Sequence, residues 1–360
     1  VVDLEAVRKA VGGLRDPELR RTLEDLHMVE GVEADGDRVT VKVKLTTKSC
    51  PLQGQIEGMV KERLAGMPGV GQVVVQLSEM DPQERANLFN GTVQKAPILA
   101  PESRTQIIAV ASGKGGVGKS TVTANLAVTL ARMGYEVGLL DADIYGFSIP
   151  RMFLLSGRQP TAIDNKILPM VAHDVKVISM GNFVEEGTPV IWRGPMLGKI
   201  LNQFVGDVLW GEPDYLLVDL PPGTGDMALD VARLMPKAGL VIVTTPQTVA
   251  SGVASRAAHM ARKSEQRLVG IVENMSTFIC PHCGEATAFF GEGGGEFLAK
   301  QLAVPLLAQI PMTLSIRQGG DAGKPAALTD PVIGEVFEDL ARKLVTEMQG
   351  QEARSGTAGR

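Results

Sequence analysis

The sequence is poor in cysteine, in aromatic residues and in long apolar runs. Only Cys50, Cys280 and Cys283 occur in 360 residues, too few for a disulfide framework, so a reducing, cytoplasmic setting is expected. No apolar run reaches the roughly 18 residues of a membrane span. The opening stretch VVDLEAVRKAVGG carries acidic residues and no signal-type apolar core. Excess positive charge is also lacking. Against 41 Asp+Glu stand 36 Lys+Arg, a net charge of −5, which disfavours a nucleic-acid surface. Hydrophobic residues still make up 44% of the chain, enough for a sizeable core.

Three regions are legible. Residues 1–80 read as a small α+β unit: DLEAVRKAVGGL and DPELRRTLEDL have helical spacing and VTVKVKLTT alternates as a strand after a Gly-Asp turn. CPLQGQIEGMVKERLAG reads as a helix and GQVVVQLSEM as a last strand. Residues 81–104 lack periodicity and read as a linker. From 105 to 346 short apolar runs (QIIAVAS, EVGLLDAD, YLLVDLPPG, GLVIVTTP, VGIVENM) alternate with helical stretches. That is the pattern of an α/β domain whose mostly parallel sheet is flanked by helices. The polar, Gly-rich end, residues 347–360, reads as a disordered tail.

GKGGVGKST, residues 113–121, follows a buried strand and opens a helix, the context a phosphate-binding P-loop requires. Gly113, Gly115, Gly116 and Gly118 let the backbone turn, and its N–H groups, including that of Val117, can surround phosphate oxygens. Lys119 would reach the β- and γ-phosphates, the Ser120 hydroxyl would bind Mg²⁺, and Thr121 completes the motif. Acidic residues follow two later strands: Asp141 and Asp143 in LLDADIYG, Asp219 and Asp226 in LLVDLPPGTGD. Asp219 is the carboxylate to stand behind Mg²⁺, and Asp143 could orient an attacking water. Solvated loop carboxylates are the alternative for Asp143 and Asp226. With no guanine-reading NKxD motif, ATP is preferred to GTP. Lys114 is either a solvated charge or a second cation acting across a dimer.

Cys280-Pro-His-Cys283 offers two thiols where a soft metal or an iron–sulfur cluster wants about four ligands. By itself the spacing leaves a cluster, zinc, a redox pair or two inert thiols open. His282 is read as solvent-facing or as a hydrogen-bonding neighbour of a metal, not as a ligand. Cys50 is either a buried apolar residue or a thiol that passes iron–sulfur species, Arg193 either a phosphate or a partner contact, and Trp192 and Trp210 are packing residues.

These motifs resemble a known group. GKGGVGKST with its early lysine is similar to the deviant Walker A of the dimeric ATPases that include MinD, ParA and nitrogenase iron protein. Within that group DADIYG, IWRGPM, DLPPGTGD, VENMS and CPHCG followed by FGEGGG resemble the Mrp/ApbC iron–sulfur cluster carrier ATPases over about 105–345. DPEL and TTKSCP resemble the small iron–sulfur assembly domain often fused ahead of them. The resemblance implies a homodimer that hydrolyses ATP with Mg²⁺, holds a 4Fe–4S cluster between subunits, receives it from a donor scaffold and passes it to acceptor apoproteins, with no role for membrane or nucleic acid. It implies that Lys114 reaches the partner's nucleotide, that Asp143 activates water, that Asp219 begins the second switch, that Asn274 contacts adenine and that Cys280 and Cys283 hold the cluster. Phe147 stands where the family commonly has proline, which bears on the stiffness of the first switch. A MinD/ParA-like positioning ATPase and an ATP-gated iron–sulfur reductase are the alternatives; the first usually needs an amphipathic basic C-terminal helix, which LARKLVTEMQGQEARSGTAGR does not offer.

Overall fold

The structure is a computed structural model and describes residues 2–17, 21–46, 53–81, 84, 98–100, 102–143, 146–163, 166–183, 194–223, 233–247 and 266–355. The chain divides into two compact units, one of residues 1–96 with 161–168, the other of residues 97–160 with 169–360. The division at residue 96 falls inside the stretch read as a linker, most of which lies outside the described residues.

The first unit runs α1 (Leu4–Gly12), β1 (Val29–Asp35), β2 (Arg38–Leu45), α2 (Gln53–Leu64) and β3 (Gln72–Glu79). Asp3 caps α1, its carboxylate accepting from the N–H groups of Glu5 and Ala6 at 3.0 and 3.1 Å. β1 and β2 form an antiparallel hairpin closed by Gly36-Asp37, with Gly36 in the left-handed region at φ 64°, the conformation this short turn needs. Alternate residues Val39, Val41, Val43 and Leu45 of β2 are buried, and α2 carries the chain to a parallel β3. DPELRRTLEDL differs from its expected helix. Its described part, residues 16–17 and 21–26, is a run of turns and bends: Leu23 and Leu26 are buried, Thr22 Oγ1 accepts from Asp25 N–H, and the next residue, His27, takes φ 51°. Burying two leucines next to α1 takes one turn, and the positive φ then ends it. The short ribbon β6 (Ala162–Ile163) and β7 (Lys166–Ile167) also belongs to this unit.

The second unit contains β4 (Gln106–Ser112), α3 (Lys119–Arg132), β5 (Val137–Asp141), α4 (Ile149–Met152), β8 (Met170–Ala172), β9 (Val175–Ser179), α5 (Gly194–Gly206) and β10 (Tyr215–Asp219). It continues through β11 (Gly239–Thr244), β12 (Arg267–Ile279), β13 (Ala286–Thr287), α6 (Gly294–Leu302), β14 (Leu306–Met312), α7 (Leu314–Asp321), α8 (Ala326–Thr329) and α9 (Pro331–Ser355). The sheet order is β13-β12-β11-β4-β10-β5-β9-β8, with β14 also on β12. Pairing is parallel except at its ends, where β13 and β8 run antiparallel. Every residue of β5, β10 and β11 is buried, as strands covered on both faces require.

β4 lies between β10 and β11, the point where the chain changes direction across the sheet. Ligands in such folds bind outside the carboxyl ends of the strands at this crevice. α3 and α9 pack over the sheet, with Leu126, Leu130, Phe337, Leu340 and Leu344 fully buried. Trp210 is buried as expected, its ring N–H donating to Phe204 O at 2.9 Å. The tail reading is corrected: α9 stays helical to Ser355. Met348 continues the Leu340–Leu344 face into the core and Arg267 donates to Glu347 O; residues 356–360 of the stretch read as a tail lie outside the described residues. Among the described residues no helix is long and apolar enough to cross a membrane.

Candidate functional site: a phosphate-binding loop and a two-thiol hairpin

The loop between β4 and α3 turns through Gly116 and Gly118, at φ 78° and 79°. No side chain caps α3, so its first N–H groups are available to an anion. Asn274, at 5% exposure in the middle of β12, braces the loop by donating from Nδ2 to Val117 O at 2.8 Å. A Cβ on Gly118 would lie 2.3 Å from that nitrogen, so close approach as well as backbone conformation fixes glycine here. The loop lines a cavity of about 260 Å³ with Ser112, Lys119, Ser120, Asp143 and Pro222. It adjoins a larger, mainly apolar cavity of about 690 Å³ that shares Gly118 and Thr121 and is walled by Phe147, Asn274, Met275, Phe278 and Met312. Phosphates suit the first space and a flat aromatic base the second.

Lys119 is 5% exposed and sits 2.7 Å from Asp219 Oδ2 and 3.7 Å from Asp143 Oδ2. Ser120 Oγ donates to Asp219 Oδ2 at 2.5 Å. Thr123 Oγ1 lies 2.9 Å from both Asp219 Oδ1 and Lys119 O, sharing one proton between them. Parallel register places Asp219 beside Asp141. Asp141 is fully buried, accepting from Ser179 Oγ at 2.7 Å and from Asp143 N–H at 3.1 Å. Burial, then the charge of Asp219, push its carboxyl up to about 8. Asp143 and Ser120 therefore line the cavity, Asp219 stands behind them in contact with Ser120 and Lys119, and Asp141 lies beside Asp219. Side by side, the Ser120 hydroxyl and Asp219 carboxylate are a hard-oxygen donor set of the kind that suits Mg²⁺.

Lys114 is held by its own chain: Nζ donates to Gln247 Oε1 at 2.9 Å. Phe147 packs on Gly181, where an added Cβ would meet its ring carbons at 2.6 Å. Asp226, Arg193, Trp192 and Cys50 lie outside the described residues.

The two other cysteines sit on a β-hairpin. β12 and β13 pair Phe278 with Thr287 and Ile279 with Ala286; Cys280 N–H then donates to Glu285 O at 3.0 Å and Gly284 N–H to Cys280 O at 2.9 Å. Gly284, at φ 73°, lets the chain return. Hydrogen bonds from the backbone N–H groups of Cys283 and His282, and from the Cys283 side chain, hold the Cys280 thiol below its ordinary range. Cys280 is half-buried, Cys283 and His282 are exposed, and both thiols are free. A turn that aims N–H groups at sulfur favours the thiolate, the form that ligates metal. Among the described residues no group of three or more His, Cys, Asp or Glu is placed to hold a metal ion, and the hairpin presents two thiols, half of a four-thiolate set.

The structure brings Lys119, Ser120, Asp143 and Asp219 together and places the CxxC on the β12–β13 hairpin; Thr123, Ser179 and Gln247, which the sequence reading did not single out, join these contacts. Thr123 stands one helical turn after Lys119, a spacing that could have flagged it. Ser179 and Gln247 end or follow strands on the crevice side, as Asp141, Asp143 and Asp219 do, and that rule was the available signal.

Comparison with known proteins follows the same division. Residues 103–345 match the family model described as NUBPL iron-transfer P-loop NTPase, and residues 4–75 match that of an iron-sulfur cluster assembly protein. The chain belongs to the NUBPL iron-transfer P-loop NTPases. Relatives in this family named iron-sulfur cluster carrier protein include one from Mycobacterium tuberculosis H37Rv, 46% identical over 96% of this chain and 94% of its own length. Another, from Bacillus subtilis 168, is 43% identical over 96% of this chain and 99% of its own length. A nucleotide-binding protein from Archaeoglobus fulgidus, solved with ADP, superposes with TM-score 0.55 at 41% identity over 61% of this chain and 87% of that one. The septum site-determining protein MinD of Pyrococcus horikoshii, solved with Mg-ADP, shares the fold at TM-score 0.50 and 23% identity, over 67% of this chain and 96% of its own.

Proposed function

We propose that this chain is an ATP-hydrolysing iron–sulfur cluster carrier that works as a homodimer in a reducing cytoplasm, takes a 4Fe–4S cluster from a donor scaffold and delivers it to apoproteins. The observation that carries this reading is the exposed hairpin with two free thiols, one of them biased toward thiolate, in a domain that also holds a complete P-loop. Two hairpins related by a two-fold axis supply four thiolates. The cluster is cargo, held by Cys280 and Cys283 of each subunit.

ATP would place its phosphates in the smaller cavity, on the loop N–H groups and Lys119, and adenine in the larger one beside Asn274. Ser120 and Asp219 would hold Mg²⁺, which neutralises charge on the phosphates. To accept them Lys119 must turn from Asp219, leaving Asp143 near the γ-phosphate to orient water. Lys114 would add positive charge at the partner's nucleotide, drawing the subunits together while ATP is intact. β12 carries Asn274 beside the P-loop and runs on to Cys280, so a nucleotide-driven change in subunit separation reaches the hairpin. ATP must bind the two dimer states with different affinity for this to work.

The test is transfer of cluster from reconstituted protein to an apo-ferredoxin with no nucleotide, with ATP, and with a non-hydrolysable analogue. Rates that differ at least about fivefold between nucleotide states support the reading, because a coupling near 1 kcal/mol produces that ratio. Equal rates and equal cluster affinities in all three would remove the nucleotide from the carrier cycle.

A further inference from the structure

The lysine at the start of the loop is fixed within its own chain at both ends. Its Nζ donates to Gln247 Oε1 at 2.9 Å, and its carbonyl accepts from Ser112 Oγ at 3.0 Å. Gln247 is half-buried and lies just beyond β11, on a turn braced from behind. A Cβ on Gly294, at the start of α6, would lie 2.2 Å from Pro246 O, so this helix end sits against the turn backbone. The next residue, Gly295, donates its N–H to Glu273 Oε2 at 2.6 Å, and the other Glu273 oxygen accepts from Gln309 Nε2 at 2.8 Å. The amide facing Lys114 thus follows directly on Pro246, whose backbone is packed against the start of α6.

We propose that Gln247 is a positioning residue that keeps Lys114 in a resting place on its own subunit, and that Lys114 reaches the partner's nucleotide only when this hydrogen bond is released. The inference rests on the proposed in-trans role of Lys114 and adds its regulation. The acceptor is chemically suited to the task. A neutral amide oxygen takes a charge-assisted hydrogen bond strong enough to define one position, while a phosphate oxygen with full negative charge outcompetes it. A carboxylate at 247 would compete with the phosphate on equal terms and keep the lysine at home.

ATP turnover per subunit, measured against protein concentration, tests this with Gln247→Ala, Gln247→Glu, Lys114→Ala and the double variant Lys114→Ala/Gln247→Ala. Gln247→Ala is expected to lower the protein concentration for half-maximal turnover by about tenfold or more, and Gln247→Glu to raise it by a similar factor, the range that one charged hydrogen bond supplies. The KM for ATP should move less than about twofold, since no contact to the bound nucleotide changes. The double variant should match Lys114→Ala. Shifts of Gln247→Ala and Gln247→Glu in the same direction, no shift, or a shift that persists without Lys114 overturns the latch while leaving the carrier reading intact. If wild-type turnover per subunit is independent of concentration and Lys114→Ala retains it, the in-trans role itself fails, and the latch with it.

Discussion

Lys119 Nζ lies 2.7 Å from Asp219 Oδ2, and both side chains are withdrawn from solvent, at 5% and 0% exposure. The cation proposed to bind phosphate therefore rests on the carboxylate that would stand behind Mg²⁺. Breaking a buried pair on one side leaves an uncompensated charge, here beside Asp141. Lys119→Ala should lose about 3 kcal/mol of folding stability as well as ATP hydrolysis. Adding Asp219→Asn should recover much of the stability and none of the hydrolysis. Urea unfolding of the three proteins, with turnover assays, checks both halves.

Asp141 gives the fold a pH dependence with a defined sign. Its folded-state pKa, about 8, stands above the ordinary carboxylate value of 3.8, because burial and the Asp219 charge favour the protonated form. A group raised in this way contributes stability that is fully present below pH 4 or so and is lost as pH rises toward about 8. Asp141→Asn, which cannot ionise, should flatten stability between about pH 4 and 8 and leave the variant relatively more stable at the alkaline end. Thermal unfolding across that range reads the slope. A wild-type stability that rises with pH there would contradict the assignment.

Gly118 meets two independent constraints, φ 79° and an approach to Asn274 Nδ2 that leaves 2.3 Å for a Cβ. Gly118→Ala should weaken nucleotide binding by more than about tenfold, since a left-handed non-glycine residue costs about 1–2 kcal/mol before the clash is counted. Truncating Asn274 to Ala in the same protein relieves the clash but not the backbone strain, so binding should recover only in part. Calorimetric titration with ADP separates the two contributions.

Met348 ties the end of α9 to the core at 3% exposure, close to Gly239 of β11. Met348→Ala should cost about 2–3 kcal/mol, as truncations of buried large side chains do. A chain ending at residue 346 should be destabilised at least as much. Denaturant midpoints measured at constant slope decide this; a neutral Met348→Ala would mean that the helix end is not packed.

The parts of this protein legible in its sequence are those whose physics is local. The P-loop could be read because its glycines answer to backbone conformation within nine residues, and β5, β10 and β11 because strands buried on both faces must be apolar throughout. The CxxC hairpin was legible as two thiols. What was not legible depends on distant pairs. Ser179 meets Asp141 across 38 positions and Gln247 meets Lys114 across 133, contacts that only sheet order creates. The helix expected after Asp16 fails for a similar reason: its spacing was helical, but burial of Leu23 and Leu26 is satisfied by turns. At the other end, composition past residue 346 was polar, while one methionine on the inner face keeps the helix docked.

The most direct test of the account is anaerobic reconstitution with iron and sulfide, followed by metal analysis, absorbance spectroscopy and mass of the same sample. The account predicts about four irons per dimer, the content of one 4Fe–4S cluster with four thiolates. That iron should be lost in Cys280→Ala and in Cys283→Ala and retained in Cys50→Ala. Zinc in place of iron, or iron that survives removal of Cys280 and Cys283, would contradict it and leave a P-loop NTPase whose hairpin thiols serve structure or redox chemistry.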